Sequence, residues 1–396
     1  MRAIRGELNR PLSWQWSWHL SRQFMQLSFK LFCALSPIAA YAEEGVTDKS
    51  ILLGQTVGLT GIVAAPVREM NEGALAYFSE VNKQGGVFGR QIILQTLDDK
   101  FDPAITAVNA KRLINEEHIF AFFQGRGTPH TQAILPLLAQ YGVPLFFPST
   151  GAAVFHSPVN RWVFNVRPKY QDEVSEAIKY FSTLKLNKIG LLYVDDAFGL
   201  DALTGFKNTM ASRQLPTNIV QKFSRVNPDY TQIAQTLVKL QPEALIIASS
   251  SKNTVEVIKA LRKAGGNFQL LTLSNNSSAA FVSDLGSAGA GVIVSQVMPV
   301  PNLHLSNLAT EFMHAGKSNK VTMSYASMEG YVNAKVLVEG LRRAGKDLTR
   351  EKLVHALESI HRLDIGGIMI DYGPQDHSGS AYIELTMIGR DGKFIR

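Results

Sequence analysis

The chain has one cysteine, Cys33, in 396 residues. It can form no internal disulfide and needs no particular redox compartment. No apolar run reaches the length needed to span a bilayer. Charged residues make up only 18% of the chain, and the formal net charge is +7. Low-complexity segments and short repeats are absent. So are the common catalytic signatures. Gly316-Lys317-Ser318 has Glu311 where a phosphate loop needs its first glycine, and a helical pattern rather than a strand precedes it. Gly125-Arg126-Gly127 follows a strand-like run, but His130 occupies the third glycine position of the dinucleotide fingerprint. No glycine-x-serine-x-glycine elbow occurs. His118, His130, His156 and His304 show no paired metal-ligand spacing.

What is present is a regular alternation of strand and helix patterns. Ile51-Leu52-Leu53-Gly54-Gln55-Thr56-Val57 is an apolar run of strand length that breaks at Gly58-Leu59-Thr60-Gly61. Residues 70–81 then carry Ala74, Tyr77, Phe78 and Val81 at helical spacing. Gly85-Gly86 supplies a helix stop with positive φ. Residues 91–97 read as the next strand, ending in Asp98-Asp99. Further strand-like runs cover 119–123, 143–147, 162–166, 189–194, 244–248, 270–273 and 292–297, with helical patterns over 173–184, 203–211, 230–240, 254–264 and 328–344. Such alternation builds parallel sheets covered by helices, and open sheets of this kind bind ligands at the carboxyl ends of their strands. Hydrophobic residues form 45% of the chain, enough for substantial cores, and the length suits two domains. One series runs from about 47 to 168. A second restarts at Asn187-Lys188-Ile189 and runs to Met298-Pro299, after which Pro299 and Pro301 mark a crossing.

The N-terminus carries a secretory pattern. Lys30 precedes the apolar core Leu31-Phe32-Cys33-Ala34-Leu35, and Ala40-Tyr41-Ala42 fits a small-x-small cleavage site. Residues 1–42 are expected to be removed, leaving Glu43 first; the alternative is a buried N-terminal helix. Met25 is a second candidate start. The leader holds five basic residues and one acid, so its removal takes the formal charge from +7 to +3. That charge gives no support for nucleic-acid binding. Lys30 stands where a lipoprotein signal wants an aliphatic residue, so the mature chain is expected to be soluble in the periplasm.

Several short motifs occur together in order. They are Gly58-Leu59-Thr60-Gly61 followed by Glu72-Gly73-Ala74, then Asn82-Lys83-Gln84-Gly85-Gly86-Val87-Phe88-Gly89-Arg90, which is the most specific. Asp98-Asp99, Gly142-Val143-Pro144, Asp195-Asp196-Ala197-Phe198-Gly199, Leu261-Arg262-Lys263-Ala264-Gly265 and Tyr331-Val332-Asn333-Ala334 follow. With these, nearly all of the mature chain resembles the type I periplasmic substrate-binding proteins of ABC transporters, in the branch of the leucine/isoleucine/valine-binding proteins. The resemblance implies an α/β fold of two Rossmann-like lobes, parallel sheets flanked by helices, joined by a three-crossing hinge and closing on a small ligand. It implies lobe one as 47–167 plus 302–360 and lobe two as 168–301 plus 361–396. No cofactor or metal and no catalytic residue is implied. The implied partners are a small-molecule ligand and an inner-membrane ABC transporter permease, with the receptor a monomer.

A ligand carboxylate in such a cleft needs donors, which hydroxyls and backbone N–H groups at helix N-termini supply. Thr128 matches the family's hydroxyl loop after the third strand, and Ser149 with Thr150 matches the second; the alternative for both is turn formation. Arg167, Tyr170 and Gln171 sit where the first lobe hands over to the second and are cleft candidates. Tyr325 is either an apolar wall or a core residue. Lobe two offers Ser250 in Ser249-Ser250-Ser251, where the family commonly has an aromatic residue. It offers Asn275 and Asn276 where amino-acid binders place an acid for the ammonium. Ala152 replaces a ligand-contacting threonine, and Pro66 stands where the first loop often has tyrosine or glycine. This neutral cleft, rich in hydroxyls and amides, suits a carboxylate, amide or urea-like ligand better than an aliphatic amino acid. The paired aspartates, 98–99 and 195–196, read as polar caps of strand ends rather than a cation site. Transport receptor, periplasmic sensor and extracytoplasmic enzyme remain as function classes, because fold alone does not separate them; the leader and the lack of a fused signalling segment favour transport.

Overall fold

The computed structural model describes residues 43–396. The expected leader, its cleavage site and the alternative start at Met25 lie outside the described residues. Lobe one is built on a five-stranded sheet of β1 (Ser50–Val57), β2 (Gln91–Asp98), β3 (Ala121–Phe123), β4 (Leu145–Phe146) and β5 (Val163–Phe164). Its spatial order is β2-β1-β3-β4-β5 and every pairing is parallel. Lobe two repeats that order with β6 (Ile189–Val194), β7 (Val220–Phe223), β8 (Ala244–Ala248), β9 (Gln269–Thr272) and β10 (Ile293–Gln296). Two late strands, β13 (Glu384–Ile388) and β14 (Phe394–Ile395), extend it in antiparallel fashion from β10. A two-stranded ribbon joins β11 (Leu363–Asp364) to β12 (Met369–Ile370).

The helices are α1 (Ala64–Lys83), α2 (Pro103–Asn115), α3 (Thr128–Tyr141), α4 (Tyr170–Thr183), α5 (Ala197–Ser212), α6 (Tyr230–Leu240), α7 (Ser251–Lys263), α8 (Ala279–Leu285), α9 (Asn307–Asn319), α10 (Tyr325–Ala344) and α11 (Arg350–Glu358). Pro66 lies in the first turn of α1 rather than in a loop. A proline is tolerated there because first-turn N–H groups have no intrahelical partner. Gly85 and Gly86, just past the end of α1, have φ of 96° and 73°. Helices α1 and α10 touch backbone to backbone: a Cβ on Gly73 would stand 1.8 Å from the Ser327 carbonyl oxygen, and one on Gly330 would stand 1.9 Å from that of Met70.

Two cores follow from this layout. One gathers Leu53, Phe78 and Phe123 with Leu308, Phe312, Met328, Val332 and Leu353 of the segment after Pro301. The other runs from Leu113 and Leu138, beneath the first sheet, into Val174, Leu191, Ile246, Leu271 and Val294. The chain thus changes lobes after β5, after β10 and before β13. Ile365, Ile368, Ile370 and Tyr372 are apolar and buried in the lobe-one core, and only at Glu384 does the chain join the second sheet.

Candidate functional site

The carboxyl ends of the two parallel sheets face each other. There Val63, Phe101, Arg126, Gly127, Thr128, Ser149, Tyr170, Phe198, Arg225, Ser250 and Asn275 enclose a cavity of about 30 Å³. Each of β1 to β9 contributes through the segment that follows it. Both lobes share one strand order, so each brings a topological switch point to the same crevice.

Three polar groups of the lining point to a ligand. Ser250 Oγ, Asn275 Oδ1 and Arg225 Nη1 are buried without a hydrogen-bond partner, and such groups are costly unless something satisfies them. The Thr128 and Thr150 hydroxyls lie 2.8 Å apart, so Thr150 supports Thr128 from behind. Arg126 donates to the Asn275 carbonyl at 2.7 Å and to Ser149 Oγ at 3.4 Å. Burial lowers its pKa from the usual arginine value. Arg225 pairs with Asp196 and lies 5.3 Å over the Phe101 ring. The apolar walls are Val63 and Phe101 from lobe one, with Tyr170 and Phe198 opposite, their rings 4.7 Å apart.

The lobes also bond to each other beside the cavity. Glu69 of α1 accepts the N–H groups of Ala279 and Ala280 at 2.8 and 2.9 Å, at the start of α8. Arg167, wholly buried, pairs with Glu173 at 3.1 Å and Glu329 at 3.4 Å and also bonds Ser274 Oγ. Glu173 in turn accepts the Ser274 N–H at 2.9 Å and its hydroxyl at 2.8 Å. This network ties α4, α10 and the loop after β9.

Of the residues expected at the cleft, Thr128, Ser149, Tyr170, Ser250 and Asn275 line the cavity, with Thr150 behind Thr128. Arg167 does not line the cavity: its terminal nitrogens pair with Glu173 and Glu329, its Nε is buried without a partner, and it lies 4.9 Å from the Tyr170 ring. Gln171 donates to Asp201 at 2.8 Å. Asn276 bonds Thr272, Thr254, Ser249 and Ser251, bracing the strand-end loops. Tyr325 faces a different cavity of about 530 Å³, against Phe394 and the chain's last residues. No residue lining that cavity has a buried unpartnered polar atom.

Sequence reading missed Arg126, Phe101, Phe198 and Arg225. A signal existed for two of them. Asp98-Asp99 and Asp195-Asp196 are each followed, two residues on, by phenylalanine, and both rings reach the cavity. The aspartates themselves hold loops. Asp98 accepts from the Leu59 and Lys100 N–H groups, and Asp196 caps α5. Among the described residues no group of three or more His, Asp or Glu side chains is gathered for a metal ion.

The family model described as "Periplasmic binding protein" matches residues 50–393. The chain belongs to this family. Within it the chain is a type I solute receptor of the Leu/Ile/Val-binding-protein kind, a non-catalytic binding protein. A substrate-binding periplasmic protein from Ralstonia solanacearum is 30% identical, with a TM-score of 0.82 over 87% of this chain and 99% of that one. An extracellular ligand-binding receptor from Verminephrobacter eiseniae is 26% identical, with a TM-score of 0.81 over 88% and 100%. A Leu/Ile/Val-binding protein of Rhizobium johnstonii is 20% identical over 85% of this chain and 91% of its own length.

Proposed function

We propose that this periplasmic binding protein is secreted through its leader, captures a small polar solute between its lobes as a monomer, and delivers it to an inner-membrane permease. The observation that carries the reading is the meeting of nine strand ends from two lobes on one cavity, with unpartnered polar atoms on Ser250, Asn275 and Arg225. Thr128, Ser149, Tyr170, Ser250 and Asn275 contact the solute in this reading. A cavity of about 30 Å³ has room for only one or two waters, so solute entry requires the lobes to part about their three crossings. Closure then brings both sets of contacts together, which is how a ligand that prefers one conformation shifts a two-state equilibrium.

The test is X-ray scattering on residues 43–396, before and after incubation with a small-molecule extract, alongside native mass spectrometry. The reading expects a retained solute and a smaller radius of gyration. Retention of no solute, or retention without compaction, contradicts it.

A further inference from the structure

We propose that the solute is a small organic carboxylate that lacks an ammonium group, and that Arg126 is its charge partner. The inference deepens the receptor reading and rests on it. Arg126 is only 7% exposed, and its guanidinium meets two neutral acceptors, Ser149 Oγ and the Asn275 carbonyl. Among the described residues no carboxylate comes within ion-pair distance of it, although Glu329 and Glu69 attract it from farther away. Those two acids are engaged elsewhere, Glu329 by Arg167 and Glu69 by the start of α8.

The lining therefore contains two guanidinium groups, on Arg126 and Arg225, and no Asp or Glu. The Asp196 carboxylate just behind is taken up by Arg225 and the N–H groups of Phe198 and Gly199. An ammonium entering here meets like charge and no acid, and its desolvation goes uncompensated. A carboxylate meets a buried cation whose two hydrogen-bond partners are both neutral, and whose remaining N–H groups can still donate to its oxygens. A neutral amide offers no charge to a buried cation. Val63, Phe101, Tyr170 and Phe198 leave the remainder of the solute an apolar, largely aromatic surround.

The test is calorimetry at neutral pH with two matched pairs of probes: 3-methyl-2-oxobutanoate against valine, and benzoate against benzamide. At least one anion binds roughly tenfold or more tighter than its pair. Arg126→Gln weakens that anion by roughly thirtyfold or more, the scale of removing one partner from a buried charge pair, and Arg126→Lys restores part of it. Circular dichroism melts of both variants check the fold, and the ranking within each pair is read on the unmodified chain. Valine or benzamide binding as tightly as its paired anion overturns the inference. So does an anion indifferent to Arg126→Gln in a folded variant, or failure of both anions to bind. In that last case native mass spectrometry against a small-molecule extract separates the two readings. A retained solute leaves the receptor standing without the anion class, and no retained solute rejects both.

Discussion

The carboxylate of Glu69 in lobe one accepts the backbone N–H of Ala279 in lobe two at 2.8 Å, and its second oxygen takes that of Ala280. One side chain thereby satisfies two orphan donors at the start of a helix in the other lobe. Glu69 does not line the cavity, so in the proposed reading it acts on closure rather than on the solute. Glu69→Ala is expected to enlarge the radius of gyration of the solute-free chain and to weaken solute binding by about 1.5–3 kcal/mol, the scale of a charged hydrogen bond. Scattering and calorimetry read the two effects. An unchanged radius and affinity would remove the latch from the account.

Arg167 is a matter of stability. It lies between Glu173 and Glu329 with only 1% exposure. Arg167→Met leaves two carboxylates buried without their cation, at a cost of about 3–5 kcal/mol. The expected result is a large drop in melting temperature. If the melt is unchanged while solute affinity falls sharply, Arg167 belongs to the binding surface instead.

Thr128 and Asn276 are expected to part company. Thr128 faces the cavity with Thr150 behind it, so Thr128→Ala weakens the solute by about 1–2 kcal/mol and hardly moves the melt. Asn276 spends its amide on Thr272, Thr254, Ser249 and Ser251, so Asn276→Ala lowers the melt. Calorimetry and melts on the two variants decide it. The opposite pattern would reverse both assignments.

Much of this architecture was legible in the chain. β6, β8 and α6 run between the residues that hydrophobic patterning marks. The family resemblance pointed to Thr128, Ser149, Ser250 and Asn275, and their places at strand carboxyl ends, where topology turns loops toward the crevice, supported it. β7 escaped notice because it is an edge strand, with a charged residue exposed and a single fully buried position at Phe223. Arg167 and Asn276 carry the residue types of a binding site, and only packing reveals that Asn276 spends its amide on neighbouring loops and that the terminal nitrogens of Arg167 are bound by Glu173, Glu329 and Ser274. Arg126 sits two residues before Thr128 in the same loop. Its lack of an acidic partner depends on side chains more than forty positions away on either side, Glu69 and Glu329 among them, which no local motif reports.

Acid sensitivity follows from two histidines. Burial lowers the pKa of His130 to about 4 and that of His156 to about 3. Both are neutral in the fold, while the unfolded chain takes up protons near pH 6.5. The unfolded state thus binds more protons between pH 6.5 and about 4, and the fold loses stability as pH falls through that window. Each contributes up to about 1.4 kcal/mol per pH unit. His130, stacked on Phe101 with centroids 4.1 Å apart, can be replaced by another flat ring. His130→Phe should flatten the melting temperature between pH 6.5 and 4.5 without abolishing the slope, since His156 remains. An identical slope in that variant would exclude His130 as a source.

In the proposed reading, solute is held where the strand ends of both lobes meet. The most direct measurement is a crystal structure of residues 43–396 grown with the solute that the chain retains from an extract. The account predicts solute density bounded by Arg126, Thr128, Ser149, Ser250 and Asn275, with the lobes closed over it. Density instead in the larger cavity beside Tyr325 and Phe394, or on the outer surface of either lobe, would contradict it.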